Sequence, residues 1–189
     1  PSVAEQLLTG RRSLSEDLTR HLSSATQAAK RGVRRAHLVA RAIDGALLQE
    51  LFTRDGVGTL ITNDIYEGLR PATIDDVGGI LELIAPLEAE GVLVRRSREQ
   101  LELEIRQFSV IERDGMIIAC AALYPYEGKI AELACLAVHE NYRKQGRGEE
   151  LLGHLETLCR TRGLEKLFIL TTRTTHWFLE RGFIEVGID

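Results

Sequence analysis

The sequence predicts an α+β protein, an α/β mixed sheet with helices on both sides, and three observations carry that expectation. Several segments repeat apolar residues at helical spacing, short apolar runs bounded by turn residues lie between them, and the two kinds of segment follow one another in a mixed order. With 44% hydrophobic and 28% charged residues, the 189-residue chain has the balance of a globular protein rather than a disordered one.

Taken in order, Leu14, Leu18, Leu22, Ala25 and Ala29 mark a helix over residues 14–29, which Gly32 stops. Residues 35–40 read as a short buried strand. Asp44 is placed to cap a helix over 46–52, and Gly56 and Gly58 open a turn and strand ending at Ile61. Residues 1–64 carry 9 Lys+Arg and 7 Asp+Glu, a net +2, which leaves 15 and 21, a net −6, for 65–189. That shift divides the chain into units 1–64 and 65–189. Two short strands make too little sheet to stand alone, so the first unit reads as incomplete.

In the second unit a strand over 69–72 leads to Thr73 and Asp76, a capping signature for a helix running to about Glu90, and Ser97 with Gln100 repeats the signature before a helix over 101–107. Apolar runs at 108–112 and 116–124 flank Arg113-Asp114-Gly115, a hairpin signal. A strand over 130–138, an amphipathic helix over 148–161, a strand over 167–170, a short helix over 175–180 and a last strand over 183–186 complete the order β-α-α-β-β-β-α-β-α-β.

Composition also excludes function classes. A net charge of −4 disfavours a nucleic-acid binder, and no apolar run approaches the ~20 residues that cross a bilayer. Cys120, Cys135 and Cys159 are odd in number and lack CxxC spacing, so neither a disulfide framework nor a metal site is expected. Nor do His37, His139, His154 and His176 show ligand spacing, so no metal is assigned. The first residues lack a signal-peptide pattern, and a cytoplasmic location follows as the expectation. The missing initiator Met suggests a processed chain or a fragment.

The strongest chemical signal is the passage from the strand Glu132-Leu133-Ala134-Cys135-Leu136-Ala137-Val138 into Arg143-Lys144-Gln145-Gly146-Arg147-Gly148 and a helix. Main-chain N–H groups in such a loop, with the positive end of the helix dipole behind them, suit a pyrophosphate, and Arg143, Lys144 and Arg147 add cations. A Gly-rich turn with solvated basic residues would look the same for a bare GxG; the strand before and helix after favour phosphate binding. It is not a P-loop, for no Gly-Lys-Ser/Thr follows, and it lacks the third glycine of a dinucleotide fingerprint.

These residues resemble the Arg/Gln-x-x-Gly-x-Gly/Ala loop of GNAT-type N-acetyltransferases at every fixed position, and Trp177-Phe178-Leu179-Glu180-Arg181-Gly182-Phe183 resembles that fold's last helix and following strand. The likeness extends over residues 65–189. Upstream, Arg35-Ala36-His37-Leu38-Val39 and the run from Asp44 through Glu50 to Gly58-Thr59 resemble the end of the amino-acid-kinase-like domain of the bacterial N-acetylglutamate synthase family; Arg96-Ser97-Arg98-Glu99 and Leu170-Thr171-Thr172-Arg173-Thr174 match that family too. The resemblance implies acetyl transfer from acetyl-CoA to the α-amino group of L-glutamate, the first step of arginine biosynthesis. It implies L-arginine as an allosteric inhibitor of the full-length enzyme; the exposed strand edges of a severed α/β layer favour self-association, so a homo-oligomer is expected. It also implies that residues 1–64 are a remnant of the kinase-like domain, and that the transferase domain stops short at its C-terminus. Alternatives are an acetyltransferase for another amine or a peptide N-terminus, and a non-catalytic acetyl-CoA or arginine sensor.

Glu132 is a carboxylate in an apolar strand, where burial would raise its pKa and suit it as a base for a substrate ammonium. A strand-edge Glu facing solvent is the plain alternative, and the resemblance favours the base. The resemblance also implies acetyl-CoA contacts by the backbone of Leu136, Ala137 and Val138 and by Arg143, Lys144, Gln145, Gly146, Arg147, Gly148 and Glu149. It further implies glutamate contacts by Arg96 and by the Cys135 backbone; Arg173 is a further substrate-binding candidate, with a solvated surface charge as its default reading. Many GNAT enzymes carry a tyrosine acid five residues before the Phe of Gly-Phe; here that residue is Phe178, so the resemblance offers the Thr171 hydroxyl instead. Glu50, Gly56 and Gly58 fit an arginine pocket or a cap and turn about equally.

Overall fold

A computed structural model describes residues 2–10, 14–63, 66–171 and 173–187. The chain divides into two compact units, Pro1–Tyr66 and Glu67–Asp189. The division expected at residues 64 and 65 lies outside the described residues.

The first unit opens with a helix the sequence reading did not anticipate, α1 (Ser2–Thr9), followed by α2 (Glu16–Lys30). Ser15 caps α2 by accepting from the Leu18 N–H at 3.3 Å. Strands β1 (Arg35–Leu38) and β2 (Thr59–Thr62) pair antiparallel, and between them runs α3 (Ala46–Phe52). Asp44 does not cap α3: Gly45 stands at the N-cap in the left-handed region, φ 68°, without a side-chain bond. Ala4, Leu22, Ala25, Ala29 and Ile61 form the unit's small core.

The second unit is a five-stranded sheet in the order β3-β4-β5-β6-β7. It starts with β3 (Glu67–Pro71), a 3-10 turn over Ile74–Asp76 and α4 (Val77–Ala89). Next come α5 (Arg98–Glu104), with Ser97 accepting from the Gln100 N–H at 3.1 Å, and the hairpin β4 (Phe108–Arg113) and β5 (Met116–Tyr126). Asp114 (φ 46°) and Gly115 (φ 78°) turn the hairpin with the two positive φ values that match strand twist. Strand β6 (Ile130–Val138) returns antiparallel, and α6 (Arg147–Thr161) crosses over to β7 (Lys166–Ile169), which pairs parallel with β6. A parallel pair needs such a crossover. Helix α7 (Thr175–Leu179) follows.

Both sheet faces are covered, as the mixed order predicts. Val77, Ile80, Ile84 and Leu101 of α4 and α5 pack on Val110, Cys120, Ala122 and Ala137, while Leu151, Leu155 and Phe178 of α6 and α7 pack on Ile118, Ala121, Leu123 and Leu133. The strand expected over 183–186 does not form. Phe183 is anchored edge-on to Phe178 of α7 at 5.3 Å, Ile184 and Val186 stay exposed, and the segment does not add to the sheet, whose last strand is β7.

At the start of α4, Asp76 ties the fold locally. Its Oδ2 accepts from the Thr73 N–H at 2.7 Å and from Arg70 Nη1 at 2.7 Å, and its Oδ1 accepts from Arg70 Nη2 at 2.8 Å. The Arg70 guanidinium, aided by the Thr73 donors, holds this carboxyl at about 2 against burial that would raise it, down from 3.8. A depressed carboxylate pKa stabilises the fold above the unfolded value and loses that contribution as pH falls through the folded one. Asp76 is expected to contribute about 2 kcal/mol at neutral pH, because each tenfold change in proton affinity is worth roughly 1.4 kcal/mol. Urea denaturation between pH 4 and pH 2 should show the loss in the wild type and a flatter profile in Asp76→Asn.

Candidate active site

Strand β6 builds the site. Its register with β7 ends at Leu133 and Ile169, so β6 from Ala134 to Val138 has no β7 partner and the two strands part. A bulge lies in the same stretch: Cys120 pairs with Ala137 and Ala122 with Ala134, and Cys135 takes the positive φ of 53°. The bulge inverts the alternation. Before it Ala131 and Leu133 face the α6 side, and after it Cys135 and Ala137 face the α4 side. Glu132, Cys135 and Ala137 therefore share one face.

The His139 N–H donates to Ile118 O at 2.8 Å, toward β5. Strand alternation then turns the Ala137 N–H toward β5 and the Val138 N–H to the opposite, β7 side. Of the three amides singled out from sequence, that of Val138 faces away from β5, and Leu136 lies within the bulge.

Glu132 is half-buried rather than enclosed, which corrects the expectation of a buried carboxylate. It lies across from Tyr124 on β5 and Phe168 on β7, and the Tyr126 hydroxyl donates to its Oε2 at 2.9 Å. That bond to the carboxylate raises the Tyr126 hydroxyl above the ordinary tyrosine range. The Tyr126 ring leans on Phe168, centroids 5.8 Å apart.

On the same face Cys120 Sγ donates to Cys135 O at 3.6 Å. The Cys120 thiol is pushed up by its hydrogen bond with Cys135, whereas Cys135 is lowered by that bond with Arg96 nearby. Burial works against the Arg96 charge, but Cys135, Tyr124 and Glu104 around it outweigh burial and hold the guanidinium firmly protonated. Arg96 Nη1 donates to Val94 O at 3.1 Å, and among the described residues its buried Nε has no hydrogen-bond partner. Tyr124 donates to Glu104 at 2.6 Å, and burial together with that carboxylate raises its hydroxyl well above the usual range. Arg173 is exposed and donates to Glu90 O at 3.0 Å, just past the end of α4. The Arg96 N–H reaches Glu88 Oε1 of the same helix at 3.0 Å. Arg98, by contrast, makes an exposed pair with Glu102.

Past β6, Lys144 (φ 59°) and Gly146 (φ 83°) bend the loop through the left-handed region, and no side chain caps Gly146. The first intrahelical bond of α6 runs from the Glu150 N–H to Gly146 O at 2.9 Å, so the preceding N–H groups point out of the helix end as an anion cradle. Arg143 and Lys144 are exposed around it, and Arg143 Nε donates to Val138 O at 3.1 Å. Gln145 Nε2 donates to Asn141 O at 3.4 Å.

Two expectations change here. Arg147 is only 7% exposed and its guanidinium turns inward onto Glu67, so it adds no surface cation; a side chain this well paired is held by its partner. Gly148 is needed for packing more than for ligand approach: an added Cβ would meet the Trp177 ring at 3.3 Å. Glu149 is held by its own N–H and by Arg181, and both lower its carboxyl. Thr171 lies beyond β7, where its Oγ1 contacts the Thr174 Oγ1 at 2.8 Å and accepts from the Thr174 N–H at 3.2 Å, a local turn before α7. Phe178 is core.

In the first unit, Glu50 accepts from the Val57 N–H at 2.8 Å, from the Gly58 N–H at 2.6 Å and meets His37 Nδ1 at 2.5 Å. The His37 contact and the two amides lower its carboxyl. Among the described residues no group of three or more His, Cys, Asp and Glu is placed to hold a metal ion, and no helix is long and apolar enough to cross a membrane.

A family profile described as the acetyltransferase (GNAT) family matches residues 78–183, the span that holds the parted strands and the cradle. The chain belongs to this family. Among GNAT relatives, the amino-acid acetyltransferase of Azotobacter vinelandii is 62% identical over 169 residues, 89% of this chain, and that of Serratia proteamaculans is 59% identical over 171 residues, 90% of this chain. The chain spans 39% of the length of each of these relatives. The crystal structure of N-acetylglutamate synthase from Neisseria gonorrhoeae, complexed with coenzyme A and L-arginine, is similar with a TM-score of 0.83 at 42% identity, over 98% of this chain and 42% of that one. The GNAT fold expected from the loop motif is thus present. Reading along the sequence missed Glu67, Glu104, Tyr124 and Tyr126. No motif marks them, because each reaches the site only through strand register or the return of a distant element.

Proposed function

We propose that this chain carries the catalytic part of an N-acetyltransferase that moves acetyl from acetyl-CoA to the α-amino group of L-glutamate. The observation that carries the reading is the joint placement, along one strand, of Glu132, the bulge at Cys135 and Leu136, the Val138 N–H turned away from β5, and the cradle that follows. Relatives about 60% identical and named amino-acid acetyltransferases support the substrate class, as does the Neisseria enzyme's binding of coenzyme A.

Acetyl-CoA supplies an activated acyl group and a thiolate leaving group. The uncapped N–H groups at the start of α6 receive its phosphates, with Arg143 and Lys144 alongside. The Leu136 and Val138 N–H groups donate to the acyl oxygen as charge gathers on it. Glu132 accepts the proton that the substrate ammonium must lose before its nitrogen can attack the acyl carbon; the C–S bond then breaks, and the second proton of that nitrogen passes to the departing thiolate, which leaves as CoA–SH. Arg96, with its unmatched Nε, meets a substrate carboxylate beside the Cys135 backbone, and Arg173 lies toward the same helix end. Thr171, already engaged with Thr174, takes no step in this scheme. In the longer protein, the first unit is read as the end of a kinase-like domain in which the Glu50 turn belongs to an L-arginine site. Self-association and a cytoplasmic location complete the reading.

The test is CoA release from acetyl-CoA with a panel of amino acids and a short peptide. Glutamate is expected to give the fastest release. Faster release with another amine or the peptide would replace glutamate as substrate, and tight CoA binding without release for any amine would make the chain a sensor.

A further inference from the structure

Glu67, the first residue of β3, lies 80 positions before Arg147 in sequence, yet its carboxylate grips the first residue of α6. Its Oε1 accepts from Arg147 Nε at 2.8 Å and its Oε2 from Arg147 Nη2 at 2.8 Å, a bidentate pair. The same Oε2 accepts from Arg113 Nη1 at 2.7 Å. The remaining arm of Arg147 donates to Tyr142 O at 3.2 Å and to Gln145 Oε1 at 2.8 Å. The buried Tyr142 ring lies 5.2 Å from the Arg147 guanidinium carbon and 5.4 Å from that of Arg113. One carboxylate on a sheet strand thus secures the loop at Tyr142, Gln145 and Arg147.

Between those anchors lie Lys144 and Gly146, both in the left-handed region. A loop with such a backbone has freedom to point its N–H groups elsewhere, and anion binding by main-chain donors depends on their direction. Resting on the reading that this loop receives the phosphates of acetyl-CoA, we propose that Glu67 is a positioning residue for the phosphate cradle: through Arg147 and Arg113 it aims the loop amides while touching no substrate atom. Arg147 accordingly serves the cofactor through its main chain and the fold through its side chain.

The test compares two thioesters, acetyl-CoA and acetyl-pantetheine, which has the reactive arm but lacks the pyrophosphate and nucleotide. In Glu67→Gln, kcat/KM for acetyl-CoA should fall about 10- to 100-fold through KM, the scale of a misplaced binding group, while that for acetyl-pantetheine holds. Glu67→Asp, which keeps the charge on a shorter arm, should lie between the two and answers the question if the Gln variant fails to fold. A drop of equal size for both thioesters, or no change in their ratio, overturns the proposal. A wild type that uses acetyl-pantetheine as well as acetyl-CoA would instead overturn the assignment of the loop to phosphate.

Discussion

Glu132→Gln is expected to lower kcat by about 10²- to 10⁴-fold while the affinity for acetyl-CoA stays in place, because the substitution removes a proton acceptor and little else. The side chain keeps its size, its position across from Tyr124 and Phe168, and an oxygen to accept from Tyr126. Nothing in the cradle touches it. The loss therefore falls on the step that frees the amine lone pair, and stopped assays of CoA release beside calorimetric titration with CoA would separate the two quantities. Raising the pH should partly restore the variant, since solution then supplies more neutral amine. Turnover near the wild-type value would remove Glu132 from the mechanism.

Arg96→Ala is expected to raise KM for glutamate by about 10²- to 10³-fold, with kcat and the KM for acetyl-CoA far less affected. The Arg96 guanidinium is held charged, with a buried Nε that no group among the described residues satisfies. A buried donor without a partner is costly, and a substrate carboxylate supplies the missing acceptor. Arg96→Lys keeps the charge but not the planar fork, so an intermediate KM should result. Arg98→Ala is the control. Its exposed i,i+4 pair with Glu102 contributes about 0.3–0.5 kcal/mol and should leave KM alone. Equal effects at Arg96 and Arg98 would sink the carboxylate role.

Much of the second unit was legible because its signals are local. The Ser97–Gln100 cap, the Thr73–Asp76 contact, the Asp114-Gly115 turn and the apolar run of β6 each depend on residues a few positions apart. The loop motif was legible for the same reason: strand, loop and helix are contiguous, so their order in sequence is their order in space. Where the reading failed, a distant partner decided the outcome. Residues 183–186 have strand-like composition but add no strand to the sheet, because Phe183 packs on Phe178 and Ile184 and Val186 stay exposed. In the first unit, Gly45 rather than Asp44 starts α3, since a left-handed backbone there leaves no side-chain cap to be made.

By itself, then, the sequence determined the α+β class, the helix starts at Thr73 and Ser97 and the place of the glycine loop between β6 and α6, all set by spacing within single segments. Tertiary structure alone decided which groups meet. The bulge at Cys135 puts Glu132, Cys135 and Ala137 on one face, and Glu67 draws the Arg147 side chain inward from 80 residues away. The reason is physical: caps and turns are satisfied by neighbours along the chain, whereas a buried charge must find its partner wherever the fold delivers one.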